Sequence, residues 1–257
     1  MNMAGVKGPG RLEQVFAAAR RERVDALMGQ EHGLHTGDEE RLHTIAQDHG
    51  YRVEMSPVPS GTARGGTWVA LNMHTFRLTR SDPIPRNRET LGGGVTVVRV
   101  PMERVCGEGA QELELASMYV PQHAHLRRAF LDRLRKAKLI SRRTIVGADR
   151  NTVRDLSLDV QYRTKSPLSY AGQNRFAGMF DKLMSDYGLE DVFRQLEGRK
   201  ARSFTRLGPT VHTRIDCMFG PRKSEDFQWY SYSTTDTLRG PTWSSDHLAI
   251  ITELKRV

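Results

Sequence analysis

Several short polar clusters in this chain carry the residue types that hydrolysis of a phosphate ester needs. In chain order they are Asn2 near the start, Glu31 in GQEH, Tyr119 in SMYVP, Asp149 and Asn151 in GADRN, Asp216 in TRID, and Asp246-His247 in SSDH. Several strand-like runs end in such a cluster, and the carboxyl ends of buried strands are where α/β folds usually place their sites. Carboxylates and an amide are hard oxygen ligands that suit Mg²⁺, with Mn²⁺ as a substitute, while leaving the ion partly hydrated. Such an ion neutralises charge on phosphoryl oxygens, and a carboxylate beside the attacking water can orient and deprotonate it. A histidine braced by an aspartate is held in one tautomer and stabilised when protonated.

Each cluster also has an ordinary structural reading. Gln-Glu after a strand suits a solvated strand end, and Asp-Arg-Asn suits a turn. Asp216 can pair with nearby Arg214, Tyr119 can be a buried ring with a bonded hydroxyl, and Asp246-His247 can cap a loop. The ordered set carries the chemistry, not any one member.

The elements that must position these groups follow from periodicity. Apolar residues at Leu12, Val15, Phe16 and Ala19 have helical spacing, with Pro9 where a helix can begin. Further helices are expected from about Asp38 to the stop at Gly50, over 123–139 and over 173–187. Strand-like runs cover 24–28, 51–55, 67–72, 95–100, 112–119, 142–147, 203–206, 211–219, 229–233 and 248–254, and 75–94 reads as a loop or hairpin tip. Strands with helices laid between successive groups, without repeats or low-complexity linkers, fit one layered α/β domain over 1–257.

Composition agrees with a folded, intracellular protein. The 257 residues are 38% hydrophobic with 23 glycines, which suffices for a real core and excludes a disordered tail. The two cysteines, Cys106 and Cys217, cannot build a disulfide framework or a zinc ribbon. No apolar run is long enough to span a membrane, so no membrane partner is expected. The net charge of +9 favours a polyanionic partner, with nucleic acid first.

Taken in order, the clusters resemble the endonuclease/exonuclease/phosphatase superfamily, the fold of pancreatic DNase and the abasic-site endonucleases, over nearly the whole chain. Asn2 resembles the asparagine of that family's opening strand, Gln30-Glu31 its metal motif, and Gly65-Gly66 its glycine pair. Tyr119-Val-Pro121, Gly147–Asn151, Arg214-Ile215-Asp216 and Ser245-Asp246-His247 resemble its remaining motifs. Within the superfamily, GADRNTVRDLSLD and GLEDVFRQLEGRKARSFTR are most similar to endonuclease domains of LINE-type non-LTR retrotransposons.

The resemblance implies a four-layer α/β-sandwich of two packed, mainly antiparallel sheets flanked by helices. It also implies Mg²⁺-dependent nicking of DNA to a 3′-hydroxyl and a 5′-phosphate. Glu31 would be the main metal ligand, with Asp246 nearby and Asn2 positioning the metal shell. Asp149, assisted by Asn151, would activate water. His247 braced by Asp216 would stabilise the transition state, and Tyr119 would position the phosphate. A reverse transcriptase domain of the same element is a possible partner, and a eukaryotic retroelement product would be nuclear.

The sequence departs from the family's pattern in four places. Only Met1 precedes Asn2, so the first strand is expected to be missing or truncated. Ala4 stands where relatives carry Asp or Asn, Ala148 replaces a glycine, and Arg150 replaces Phe or Trp. Backbone contacts to DNA are expected from Arg150, Arg154 and Arg206, with further cations at 77–88, 199–206, Arg163 and Lys165. Basic residues of the third helix (Arg127, Arg128, Arg133, Arg135, Lys136, Lys138) fit a solvated face. Trp229, Tyr230, Tyr232 and Trp243 suit either stacking on bases or a strand core. Three alternatives stay open. They are an abasic-site repair endonuclease, a phosphatase of small phosphoesters (whose Trp-x-Gly-Asp-x-Asn-Tyr-Arg and Cys-Asp-Arg motifs are lacking), and a catalytically impaired DNA-binding remnant.

Overall fold

The computed structural model describes residues 1–3, 5–8, 10–62, 64–81, 91–100, 102–103, 112–163, 173–224, 227–236 and 245–256. Ala4, Pro9, Arg86, Arg88, Cys106, Lys165 and Trp243 lie outside the described residues.

Two sheets form the centre. The first has the order β1 (Ala26–Gln30), β3 (Thr67–Asn72), β2 (Tyr51–Ser56), all antiparallel. The second runs β4 (Val95–Val100), β5 (Leu113–Tyr119), β6 (Thr144–Asp149), β11 (Asp216–Pro221), β8 (Leu189–Asp191). Only its β5–β6 pair is parallel.

Side-chain alternation explains the layering. Along the second sheet Val97, Ala116, Val146 and Phe219 point to one core, while Val98, Leu115, Ile145 and Met218 point to another. The first set packs under α3 (Ala124–Ala137) and α4 (Gln173–Asp186). The second set meets Met28, Val69 and Leu71 of the first sheet. The opposite face of that sheet, with Val53, Trp68 and Ala70, is covered by α1 (Arg11–Arg21) and α2 (Glu39–Asp48). Helix, sheet, sheet and helix make four layers, as expected. Strands buried on both faces read as unbroken apolar runs, which made them legible.

Smaller pieces complete the rim of the sandwich. β7 (Val160–Tyr162), β10 (Val211–Thr213) and β9 (Arg206–Leu207) form a three-stranded sheet. β12 (Phe227–Thr235) and β13 (Ala249–Arg256) form a hairpin, and α5 (Val192–Leu196) packs beside it. The run expected as one strand over 211–219 is broken at Arg214-Ile215, because the Arg214 amide and guanidinium are both drawn to Asp159. In α3 one cation departs from the solvated-face reading, since Arg127 is buried while its five basic neighbours are exposed. Trp229 and Tyr232 pack inward and Tyr230 faces out, its ring under the Lys255 ammonium. No helix among the described residues is long and apolar enough to cross a membrane.

Candidate active site

The site starts where two sheets meet. Gln30, buried at the end of β1, donates its amide to Ser117 Oγ of β5 at 2.9 Å and to the Gly147 carbonyl of β6 at 3.3 Å. Ser117 Oγ donates back to the Gly29 carbonyl at 2.8 Å. These bonds span the layers and fix the next residue, Glu31, against the strand ends of the second sheet. Glu31 then takes a positive φ of 54°, a left-handed turn that re-aims its carboxylate.

Met1, Asn2, Met3, Gly5 and Val6 run alongside this turn. Asn2 pairs with Gln30 in a parallel bridge, and the amides of Met3, Gly5 and Val6 donate to the carbonyls of Gln30, Glu31 and His32. The short segment therefore places Asn2, whatever the length of the opening strand. The Asn2 amide donates to Glu31 Oε2 at 2.8 Å and to Asp149 Oδ2 at 2.7 Å, joining the two carboxylates.

Asp149 ends β6 in register with Tyr119 on one side and Asp216 on the other. Its second oxygen accepts the Asn151 amide at 2.8 Å. Asn151 has φ 50°, and its side chain donates to the Val120 carbonyl. The alanine at 148 costs nothing here, because its φ is negative and its methyl joins the core. Burial first, and the charge of Asp216 second, hold the Asp149 carboxyl well above the ordinary carboxylate range. The Tyr119 hydroxyl is pushed far up by burial, then by Glu31 and Asp149, so it remains an O–H donor.

His247 completes the cluster. Asp216 Oδ2 lies 2.8 Å from its Nδ1, so this nitrogen carries a proton and Nε2 faces the site. Burial alone would lower the imidazole pKa, but Asp216 overrides it, with smaller help from Asp149 and Asp246, and raises it to about 9. Ligand atoms of Asp149, Asp216 and His247 lie within 4.8 Å of one another. Asp246 stands at the edge, its Oδ1 3.7 Å from His247 Nε2 and its Oδ2 accepting Arg206 Nε at 2.7 Å. Burial would raise the Asp246 carboxyl, yet the Arg206 bond and charge hold it below the usual range.

One arginine expected at DNA lies elsewhere. Arg150 is fully buried, so it cannot reach a backbone phosphate; it donates to the Thr152 carbonyl and to Asp181 Oδ1 at 2.9 Å. A buried guanidinium needs carboxylates, and this one stands at the rim of a network centred on Asp159. Arg214 Nε donates to Asp159 Oδ1 at 3.0 Å and its fork grips Asp191, while Arg194 also pairs with Asp159. Arg154 is half exposed but paired with Asp181 at 2.9 Å. Asp159→Ala leaves these buried cations without their shared partner and is expected to cost about 3–5 kcal/mol. Denaturant unfolding measures this, and a loss below about 1 kcal/mol would contradict the network's role.

Three supporting residues, Thr205, Arg127 and His32, were not singled out in the sequence as parts of the site, whereas Gln30 was read there within the Gln30-Glu31 metal motif. Gln30 ties the sheets together as described, and Thr205 Oγ1 accepts the amides of Ile215 and Asp216. Arg127 donates to the carbonyls of Pro121, Gln122 and Asn151, joining two strand ends. Its sequence signal was faint, since one inward cation among several on a helix looks solvated. His32 lies beneath Glu31; Nδ1 accepts the Leu34 amide at 2.9 Å, so the proton sits on Nε2, facing the Thr67 carbonyl.

Burial lowers the His32 pKa from 6.5 to about 4. Below pH 6.5 the unfolded chain takes up the proton that the native ring refuses. Stability therefore falls as the pH drops through this window, by on the order of 3 kcal/mol for this group. His32→Gln should flatten the dependence of unfolding free energy on pH between about 4 and 6.5. Parallel pH curves for the two proteins would refute this.

The donor set fits a hard divalent cation. Asp149, Asp216 and His247 bring their ligand atoms together, the two aspartates crowd negative charge that raises the pKa of Asp149, and Glu31 is joined to Asp149 through the Asn2 amide. Oxygen donors with one imidazole and no thiolate suit Mg²⁺ or Mn²⁺.

No protein-family profile matches the sequence, and no curated protein matches it. The likeness is structural. The chain is similar to the AP endonuclease LMAP from Leishmania major, with a TM-score of 0.70 at 17% identity over 100% of this chain and 86% of that one. It is also similar to the endonuclease domain of TRAS1, a telomere-specific non-LTR retrotransposon (TM-score 0.62, 14% identity, 98% and 94% covered). ANGEL2, a 2′,3′-cyclic phosphatase, shares the architecture at a TM-score of 0.57, 12% identity, and 95% and 85% coverage. The chain thus has the fold of the endonuclease/exonuclease/phosphatase superfamily.

Proposed function

We propose that this chain is a divalent-metal-dependent phosphodiesterase that nicks DNA, as a single domain of retrotransposon-endonuclease type. One observation carries the reading. Glu31 and Asp149 are bridged by Asn2 beside a His247 braced by Asp216, which sets a metal-holding carboxylate, a base and a protonated imidazole in one buried row. The resemblance of the motifs to LINE-type domains and the fold shared with TRAS1 favour DNA over a small phosphoester.

Glu31, with Asp246 and Asn2 nearby, would hold Mg²⁺, whose charge offsets that of the phosphoryl oxygens. Asp149, raised in pKa and steadied by Asn2 and the Asn151 amide, is suited to take the proton of the attacking water. His247, charged at neutral pH, donates from Nε2 to the pentavalent phosphorane, and Asp216 stabilises that charge. Tyr119, still protonated, offers a hydrogen bond to the scissile phosphate. As the bond from water to phosphorus forms, the bond from phosphorus to the 3′ oxygen breaks and that oxygen takes a proton from solvent; the free 3′-hydroxyl would let a reverse transcriptase of the same element begin synthesis.

The test compares three substrates in Mg²⁺: supercoiled plasmid, a duplex with one abasic site, and a small phosphomonoester. Nicks in intact duplex that DNA ligase reseals are expected, since ligase needs a 3′-hydroxyl and a 5′-phosphate. Cleavage confined to the abasic duplex would move the assignment to repair, in line with the fold shared with LMAP. Turnover of the phosphomonoester alone would overturn the nuclease reading.

A further inference from the structure

Both carboxylates at the ends of the catalytic row are shared with an arginine from outside it. Arg64 Nε lies 3.9 Å from Glu31 Oε1, and Arg206 Nε lies 2.7 Å from Asp246 Oδ2. Between them the polar groups follow one line, from Glu31 through Asn2 to Asp149, then His247 and Asp246. The two guanidiniums therefore flank the place where a scissile phosphate would sit.

Arg64 is carried there by the backbone. Gly65 and Gly66 have φ of 108° and 80°, and a Cβ at Gly66 would come within 2.3 Å of the His32 ring. Only glycine permits this turn, which lays Arg64 between Glu31 and Gln122, whose Oε1 accepts its Nη1 at 3.3 Å. Arg206 is fixed by β9, where it forms a bridge with His247. Unlike the buried Arg150 and Arg214, these side chains are open to solvent, 71% for Arg64 and 43% for Arg206. A guanidinium fork matches phosphate oxygens as well as it matches a carboxylate.

We propose that Arg64 and Arg206 are the two jaws of a clamp on the phosphodiester backbone of a nucleic-acid strand, held in reserve by the carboxylates that take the metal. The inference rests on the nuclease reading for the position of the strand. Wherever Glu31 or Asp246 turned to a divalent cation, its own ion pair would loosen and its arginine would be released to a phosphate beside the cleavage point. Metal and nucleic acid then bind with positive coupling.

The test measures duplex binding at several salt concentrations in a His247→Ala background, which prevents cleavage. In Mg²⁺, Arg64→Ala and Arg206→Ala should each reduce the slope of log affinity against log salt by roughly 0.9, and the double variant by roughly twice that. In EDTA the double variant and its parent should show equal slopes. Arg21→Ala, on α1 and ion-paired with its neighbour Glu22, serves as the control and should change nothing. Unchanged slopes in Mg²⁺ for both site variants would overturn the clamp and leave two neutralising ion pairs. Equal losses in EDTA and Mg²⁺ would overturn the reserve and the coupling. Because this readout is binding, absence of nicking by the unmodified protein would count against the nuclease reading alone.

Discussion

His247→Ala is expected to lower the rate of plasmid nicking by about a thousandfold while leaving the fold and DNA affinity nearly intact. The size follows from what a preorganised donor aimed at developing charge contributes, roughly 10²–10³ in rate, with proton handling added. The side chain is buried against Asp216 and not in an apolar cluster, so a thermal melt run beside the rates checks that the variant keeps its fold. A pH signature accompanies the loss. Asp216 raises the imidazole pKa to about 9 against the opposing effect of burial, so the charged form is present at neutral pH and is lost as the pH rises through that value. The native enzyme should therefore lose activity on an alkaline limb near pH 9, and the variant should show no such limb. A variant that keeps both its rate and its alkaline limb would remove His247 from the mechanism.

Asp149→Asn is expected to cost roughly 10³–10⁴ in rate, because it removes the base and weakens the oxygen ligation that Asn2 shares between two carboxylates. Its effect on stability should run the other way. A carboxyl whose native pKa is raised by burial and by Asp216 costs stability at every pH where it must ionise. At pH 8 in EDTA, therefore, the neutral amide should melt no lower than the native protein. Thermal melts beside nicking rates check both halves. A large fall in melting temperature would show that Asp149 is a structural keystone, and the rate loss would then say nothing about chemistry.

The site was legible where chemistry confines a residue type to a strand end. Glu31, Tyr119, Asp149, Asp216 and His247 come from separate elements over two hundred residues apart at the extremes; the first three follow apolar strands, Asp216 opens one and His247 precedes one, and the two-sided burial of the sheets made those strands plain. What stayed hidden depends on direction, which spacing does not encode. Arg150 had the right charge for DNA but points into the protein, because Asp181 on α4 and Asp159 meet it there. Arg127 was one of six cations on a helix, and only the packing of α3 against the strand-end loops selects it. The break at Arg214 was invisible in the stretch itself, since its cause, Asp159, lies 55 residues upstream. Arg64 was overlooked because a positive φ at two glycines, not a periodic pattern, brings it over Glu31.

Conversion of supercoiled plasmid to open circles, followed for the native chain and for His247→Ala in Mg²⁺ and in EDTA, tests the central claim most directly. The account predicts conversion only by the native chain and only in Mg²⁺. Equal conversion by both proteins in Mg²⁺, or none by a folded native chain that binds DNA, would contradict it.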